Sequence, residues 1–139
     1  MNRNKSVTIK TSVNATLQKA WESWTLPQHI THWNFASNDW HCPSSTVDLV
    51  VGGRFSSRME AKDGSFGFDF WGTYDEIVPL SLLRSTMGDG RKIEVRFTQV
   101  ENTVLVTESF ETEDQNTAER QREGWQAILD NYKSYTETL

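Results

Sequence analysis

Apolar and polar residues alternate through residues 48–79, and that alternation predicts two extended strands joined by a tight turn. In the first strand Phe55 and Met59 fall on one face, with Arg54, Arg58 and Glu60 on the other. Asp63-Gly64 supplies the turn, because glycine tolerates the positive φ that hairpins require. In the second strand Phe66, Phe68, Phe70 and Tyr74 share a face opposite Asp69, Thr73 and Asp75. The same parity sets Trp71 on the outer, more exposed face. A period of two in both strands describes an antiparallel sheet with one buried face.

Before this hairpin, Val7, Ile9 and Thr11 alternate with Thr8, Lys10 and Ser12, which fits an opening strand. Asn14 is read as the N-cap of a helix through Trp24, with Leu17, Ala20, Trp21 and Trp24 on one stripe. Pro27 suits the first position of a short second helix carrying Ile30 and Trp33. Residues 34–45 have no period and read as a loop, although Phe35 and Trp40 lie within it. Strands are expected from Thr46 onward. After the hairpin come residues 82–87, a Gly88-Asp89-Gly90 turn, and residues 92–100 with Ile93, Val95 and Phe97 on one face. Glu101-Asn102 turns the chain again, and residues 103–112 place Val104, Val106, Glu108 and Phe110 together. The last element is the clearest helix. Asn116 and Glu119 resemble a capping box, and Gln121, Trp125, Ile128, Leu129, Tyr132 and Leu139 form its stripe. The order is strand, two helices, about six strands and a long helix, an α+β arrangement. The C-terminal helix is the only long amphipathic element, so it should cover the sheet, with the short helices closing one end. No linker or repeat divides the chain, and a single domain over residues 1–139 is expected.

Composition narrows the class. Six Trp and seven Phe in 139 residues predict an aromatic core. A net charge of −5 disfavours nucleic acid as a partner, because phosphate binding needs a concentrated positive face. One cysteine, Cys42, excludes an internal disulfide and suits a reducing compartment. The opening residues carry no apolar run, so neither a signal peptide nor a membrane span is expected, and the protein reads as cytoplasmic. The sequon Asn14-Ala15-Thr16 then has no use.

Several strings resemble a known family. They include Ala20-Trp21 with Thr25 and Pro27 ahead of Trp33, Asp39-Trp40-His41, and Asp48-Leu49 with Val51-Gly52-Gly53-Arg54-Phe55. Met59-Glu60-Ala61, Asp63-Gly64, Phe68-Asp69-Phe70, Gly72-Thr73-Tyr74 and Asp89-Gly90-Arg91 continue the match. It ends with Thr107-Glu108-Ser109-Phe110 and with Gln121-Arg122 and Gly124-Trp125. This set resembles the START-like or SRPBCC superfamily, in the branch named after the C-terminal domain of the heat-shock chaperone ATPase activator. Leu26 departs from the pattern, where a polar cap before the proline is usual. The resemblance implies a helix-grip fold, with an internal cavity between the long helix and the sheet that takes a small hydrophobic molecule. The full-length activator carries a further N-terminal domain not expected here, so chaperone activation is not carried over.

The residues expected to line that cavity are Trp33, Trp40, Phe68, Phe70, Tyr74, Glu108, Gln121, Trp125 and Leu129. Each aromatic has a plain core reading beside the ligand reading. Gly124 sits mid-helix beside the stripe, where glycine costs about 1 kcal/mol relative to alanine. It either lets the helix approach the sheet closely or leaves space beneath. Glu108 is the sharpest anomaly, because parity points a carboxylate toward the interior. Buried there, it must be paired, protonated or wetted. Tyr74 and Gln121 are its expected neighbours, with no obvious cation, so its pKa should be raised; the plain alternative is a bulge that turns it outward, or a structural hydrogen bond to Gln121, Tyr74 or an arginine.

His29, His32 and His41 lack zinc-site spacing, so no metal is expected, and no motif calls for a cofactor. Cys42 has no identifiable base and receives no role. Residues 120–123 read as a solvated helix face apart from Gln121. Three functions follow. The first is a binding protein for an aromatic or lipid-like molecule, monomeric or homodimeric, with no catalytic residue assigned. The second is a cyclase- or dehydratase-type enzyme with Glu108 as acid or base and Tyr74 beside it. The third is an interaction or chaperone-associated module using an exposed aromatic patch around Trp40 or Trp71.

Overall fold

The computed structural model describes residues 5–139. The period-two segments pair as successive hairpins, since the turns between them are too short for any crossover. After β1 (Ser6–Val13), α1 (Leu17–Thr25) and α2 (Pro27–Ile30) come β2 (Trp40–Val47), β3 (Arg54–Ala61) and β4 (Gly67–Val78). Then follow β5 (Leu82–Met87), β6 (Lys92–Val100), β7 (Thr103–Glu111) and α3 (Ala118–Thr136). The seven strands form one antiparallel sheet in the order β1-β7-β6-β5-β4-β3-β2. Only the β1–β7 pair is distant in sequence, running from Ser6 opposite Glu111 to Val13 opposite Val104. The sheet curls into a half-barrel, with α3 on its concave face and the two short helices at one end. This is the helix-grip arrangement.

Inward positions of β1 and β7 carry Val7, Ile9, Val13, Val104, Val106 and Phe110, all buried, and Leu129 and Tyr132 of α3 seal against them. The Tyr132 hydroxyl donates to the Ala20 carbonyl at 2.6 Å, and the Ser23 and Thr136 hydroxyls bond at 2.7 Å. Those two contacts lock α1 to α3. The rings of Trp24 and Trp33 meet Tyr132 edge-on at 4.8 and 5.1 Å between centroids. Helix α3 runs alongside β1, whose other side has no strand. There Arg122, Gln126 and Lys133 donate to the carbonyls of Thr8, Lys10 and Ser12 at 3.0, 3.4 and 2.7 Å. Alternate carbonyls of an open edge are thus satisfied by one helix face.

Five expectations are corrected. Residues 40–45 are not loop but the first part of β2; Pro43 falls at a bulge between His41 and Ser44 on an edge strand. A bulge breaks the period, and an edge tolerates a residue without N–H. The cap of α1 is Thr16, accepting from the Lys19 N–H, while Asn14 donates its own N–H to Glu137. The cap of α3 is Thr117 rather than Asn116, accepting from the Arg120 N–H at 3.1 Å. Leu139 lies beyond the helix and is exposed. Trp71 is half-buried rather than open. The Arg54 guanidinium lies 3.9 Å from its ring centroid, and a Cβ on Gly88 would fall on its indole.

The stripe of α3 buries large side chains at ~1.5–3 kcal/mol each, comparable together to the whole stability of a domain. A chain ending at residue 114 is therefore expected to show no cooperative unfolding transition by circular dichroism. Gly124 makes no close approach, since a Cβ there would meet nothing within 4 Å. Gly124→Ala should raise stability by about 1 kcal/mol in chemical denaturation.

Candidate functional site

A helix is roughly 10 Å wide and neighbouring strands lie about 4.8 Å apart, so one helix covers about two strands of this sheet. Beyond β1 and β7 the concave face is not reached by the backbone of α3. The space left there is a cavity of about 350 Å³. Its floor is built in register. Tyr74, Ser85, Ile93 and Phe110 lie directly opposite one another across β4, β5, β6 and β7. The next row holds Leu83, Val95 and Glu108. Gln121, Trp125 and Ile128 of α3 form the roof, and Trp24, Ile30 and Trp33 close one end. Trp125 stacks on Phe110 at 4.0 Å and meets Phe70 edge-on at 6.0 Å. Arg91, Glu113 and Asn116 lie at the polar side of the wall.

Seven of the nine side chains expected at this site line it: Trp33, Phe68, Phe70, Tyr74, Glu108, Gln121 and Trp125. Two do not. Leu129 is fully buried in the core beneath α3, and Trp40 packs outside, 6.0 and 6.1 Å from the rings of Phe66 and Phe68. Phe66 is 61% exposed and Phe68 43%, because the β3–β4 hairpin projects past the helix that covers their face. Sequence reasoning missed Trp24, Phe55, Ser57 and Ser85 on the wall. The parity that singled out Glu108 also turns Ser57 inward beside Met59 and Ser85 inward beside Leu83; those two polar signals were readable.

The polar groups on the floor stand apart. Glu108 is 7% exposed, and burial alone pushes its carboxyl up to about 8 from an ordinary 4.5. Burial likewise pushes the Tyr74 hydroxyl up to about 12. Gln121 is not the expected neighbour of Glu108. Its carboxamide accepts from the Glu113 N–H at 2.9 Å and donates to the Glu113 and Asn116 carbonyls at 3.1 and 2.8 Å, tying the turn before α3. Nor is Tyr74 adjacent, since β4 and β7 stand three strand spacings apart, about 14 Å along the sheet. Among the described residues no buried side-chain nitrogen or oxygen is sealed off without a partner. The Glu108, Tyr74 and Ser85 oxygens bond to no protein group there, so they open onto the cavity. Elsewhere, His29 Nδ1 and the Tyr135 hydroxyl are 2.6 Å apart, and His41 lies 3.7 Å from Glu60. No three His, Cys, Asp or Glu side chains among the described residues are grouped to hold a metal ion. Cys42 is buried and its thiol is raised by desolvation.

The raised Glu108 carboxyl has a stability signature. Below about pH 4.5 both folded and unfolded chains hold this proton, and the group contributes no pH dependence. Between there and about pH 8 only the folded chain keeps it, so stability falls as pH rises, by about 5 kcal/mol in full. Glu108→Gln should remove this slope and be more stable than the parent by about 3 kcal/mol at pH 7. Urea titrations of both proteins from pH 5 to 9 measure it. Parallel curves would place the carboxyl in contact with water or a cation.

Among the described residues no helix is long and apolar enough to cross a membrane. No curated protein matches the chain. Solved structures do. An AHSA1-like protein from Aeromonas hydrophila, determined by solution NMR, is 42% identical over 96% of this chain and 93% of its own, with a TM-score of 0.91. A protein from Cytophaga hutchinsonii is 45% identical over 96% of this chain and 92% of its own, with a TM-score of 0.83. A crystal structure from Nitrosomonas europaea shares the fold at 15% identity, 99% and 97% coverage and a TM-score of 0.84. Residues 14–137 match the family described as Activator of Hsp90 ATPase homolog 1-like protein, and the chain belongs to that family.

Proposed function

We propose that this protein binds a small, largely apolar molecule, aromatic or lipid-like, between α3 and the curled sheet. One observation carries the reading. An aromatic-walled space of about 350 Å³ holds the polar side chains of Glu108, Tyr74 and Ser85, which make no hydrogen bond to any described residue. Folding alone gains nothing from such groups, since an apolar floor would avoid their desolvation. A ligand gives them partners. The size lies in the range of small-molecule sites, where a few polar groups orient an apolar body. Membership of a superfamily with a helix-grip cavity supports the same reading.

A second reading, an acid–base enzyme, draws on the raised Glu108 carboxyl, which is poised for proton transfer near neutral pH. The separation of β4 from β7 argues against a concerted pair with Tyr74, and the groups are better placed at two ends of one ligand. A third, chaperone-associated reading draws on the cluster of exposed Phe66 and Phe68 with half-buried Trp40.

The test is a panel of flavonoid-like and fatty-acid compounds titrated into the full chain and followed by NMR. Indole signals of Trp33 and Trp125 should shift together. Ser85→Leu fills part of the floor and should weaken binding at least tenfold while the thermal transition stays cooperative. Shifts confined to Trp40, or unaltered affinity in the Leu variant, would move the site out of the cavity.

A further inference from the structure

The geometry points to a specific ligand class for this cavity: a flat aromatic amine whose protonated nitrogen sits against Glu108. The inference rests on the cavity-binding reading above and adds the charge of what enters. Its basis is the placement of a single carboxyl, 7% exposed, in a floor where its neighbours on β6 and β7 are Ile93, Val95 and Phe110. A neutral ligand would be served there by a glutamine or threonine, which orient a carbonyl or hydroxyl without the penalty of a buried acid. What an acid alone adds is a full negative charge that appears when a cation arrives. The walls suit the rest of such a molecule. Trp33, Phe70, Tyr74 and Trp125 present aromatic faces, which attract cations and stack on flat rings. The overall charge of −5 favours approach of a cation over an anion.

Among the described residues no protein group competes for Glu108. From β1 and β6 the residues directly opposite it are Ile9 and Val95, and α3 lines the cavity with Gln121, Trp125 and Ile128, none of which titrates. Tyr74, from β4, stays neutral until about pH 12. Arg91 is committed to the Asp89 carboxylate at 2.8 Å and the Glu111 carbonyl at 3.3 Å. Glu113 accepts from the Asn116 and Gln115 N–H groups, which keep it ionised. Among the described residues a carboxylate ligand inserted deep in the cavity would meet no free cation. Lipid-like acids are accordingly placed last.

Binding an amine at neutral pH displaces the proton that burial holds on Glu108. The reaction is therefore amine cation plus protonated Glu108 giving the ion pair and a proton released to solvent. Amine affinity should rise about tenfold per pH unit from 6 to 7.5 and level off above 8.

Three matched probes test this on the full chain by calorimetry: naphthylethylamine, naphthylacetamide and naphthylacetate. The amine is expected to bind at least tenfold more tightly than the amide at pH 7.5 and the acetate most weakly. Repeating the amine titration at pH 7 in buffers of different ionisation enthalpy should show close to one proton released. Glu108→Gln should reduce the amine-to-amide ratio below threefold and abolish proton release. An amide that equals the amine, or a preference that survives in the Gln variant, overturns the amine assignment and leaves cavity binding standing. Binding of none of the three probes overturns both.

Discussion

A single helix is narrower than the sheet it must cover. Seven strands at about 4.8 Å span roughly 29 Å, against a helix width near 10 Å. Helix α3 meets that mismatch by committing to one side, alongside β1, where Leu129 and Tyr132 bury completely and three side chains close the strand's open edge. The rest of the sheet must curl toward it, and the curl leaves a lined hollow instead of a filled core. Reach across the gap falls to side chains. Trp125 does most of it, stacked on Phe110 of β7 and touching Phe70 of β4 at its edge.

Stability and site chemistry are partly opposed in this arrangement. The contacts of α3 with β1 and α1 are bonded and buried, down to the Tyr132 hydroxyl and the Ser23–Thr136 pair. Toward β4, β5 and β6 the same concave face carries Glu108, Tyr74 and Ser85 on the cavity wall. The buried Glu108 carboxyl lowers stability above mildly acidic pH, and the well-packed half of the molecule offsets that loss.

The mouth differs from the interior in kind. Half-buried Trp40 and exposed Phe66 and Phe68 form an aromatic cluster where the β3–β4 hairpin outruns α3, and Phe68 belongs both to that cluster and to the cavity wall. Close likeness to the Aeromonas hydrophila and Cytophaga hutchinsonii proteins extends over nearly the whole chain, so the strand order and the covering helix belong to a shared architecture.

The sequence by itself determined every strand whose alternation is uninterrupted. Val7 to Thr11, Ile93 to Phe97 and Val104 to Phe110 declare their inward face, and that same parity turned Glu108 inward and predicted its raised carboxyl. The α+β order and the covering role of α3 were legible for the same reason, since local periodicity reports which side of an element is dry. Tertiary structure decided the rest. Pro43 sits in a strand only because an edge bulge excuses its missing N–H, which no local pattern reports. Leu129 and Trp125 share one helical stripe, yet one seals the core and the other lines the hollow, because the sheet curls away beneath only the second. Trp40 and Phe66 fell outside the cavity because the hairpin projects beyond the helix. Periodicity gives the face a residue points from; how far the opposing element extends decides what that face meets.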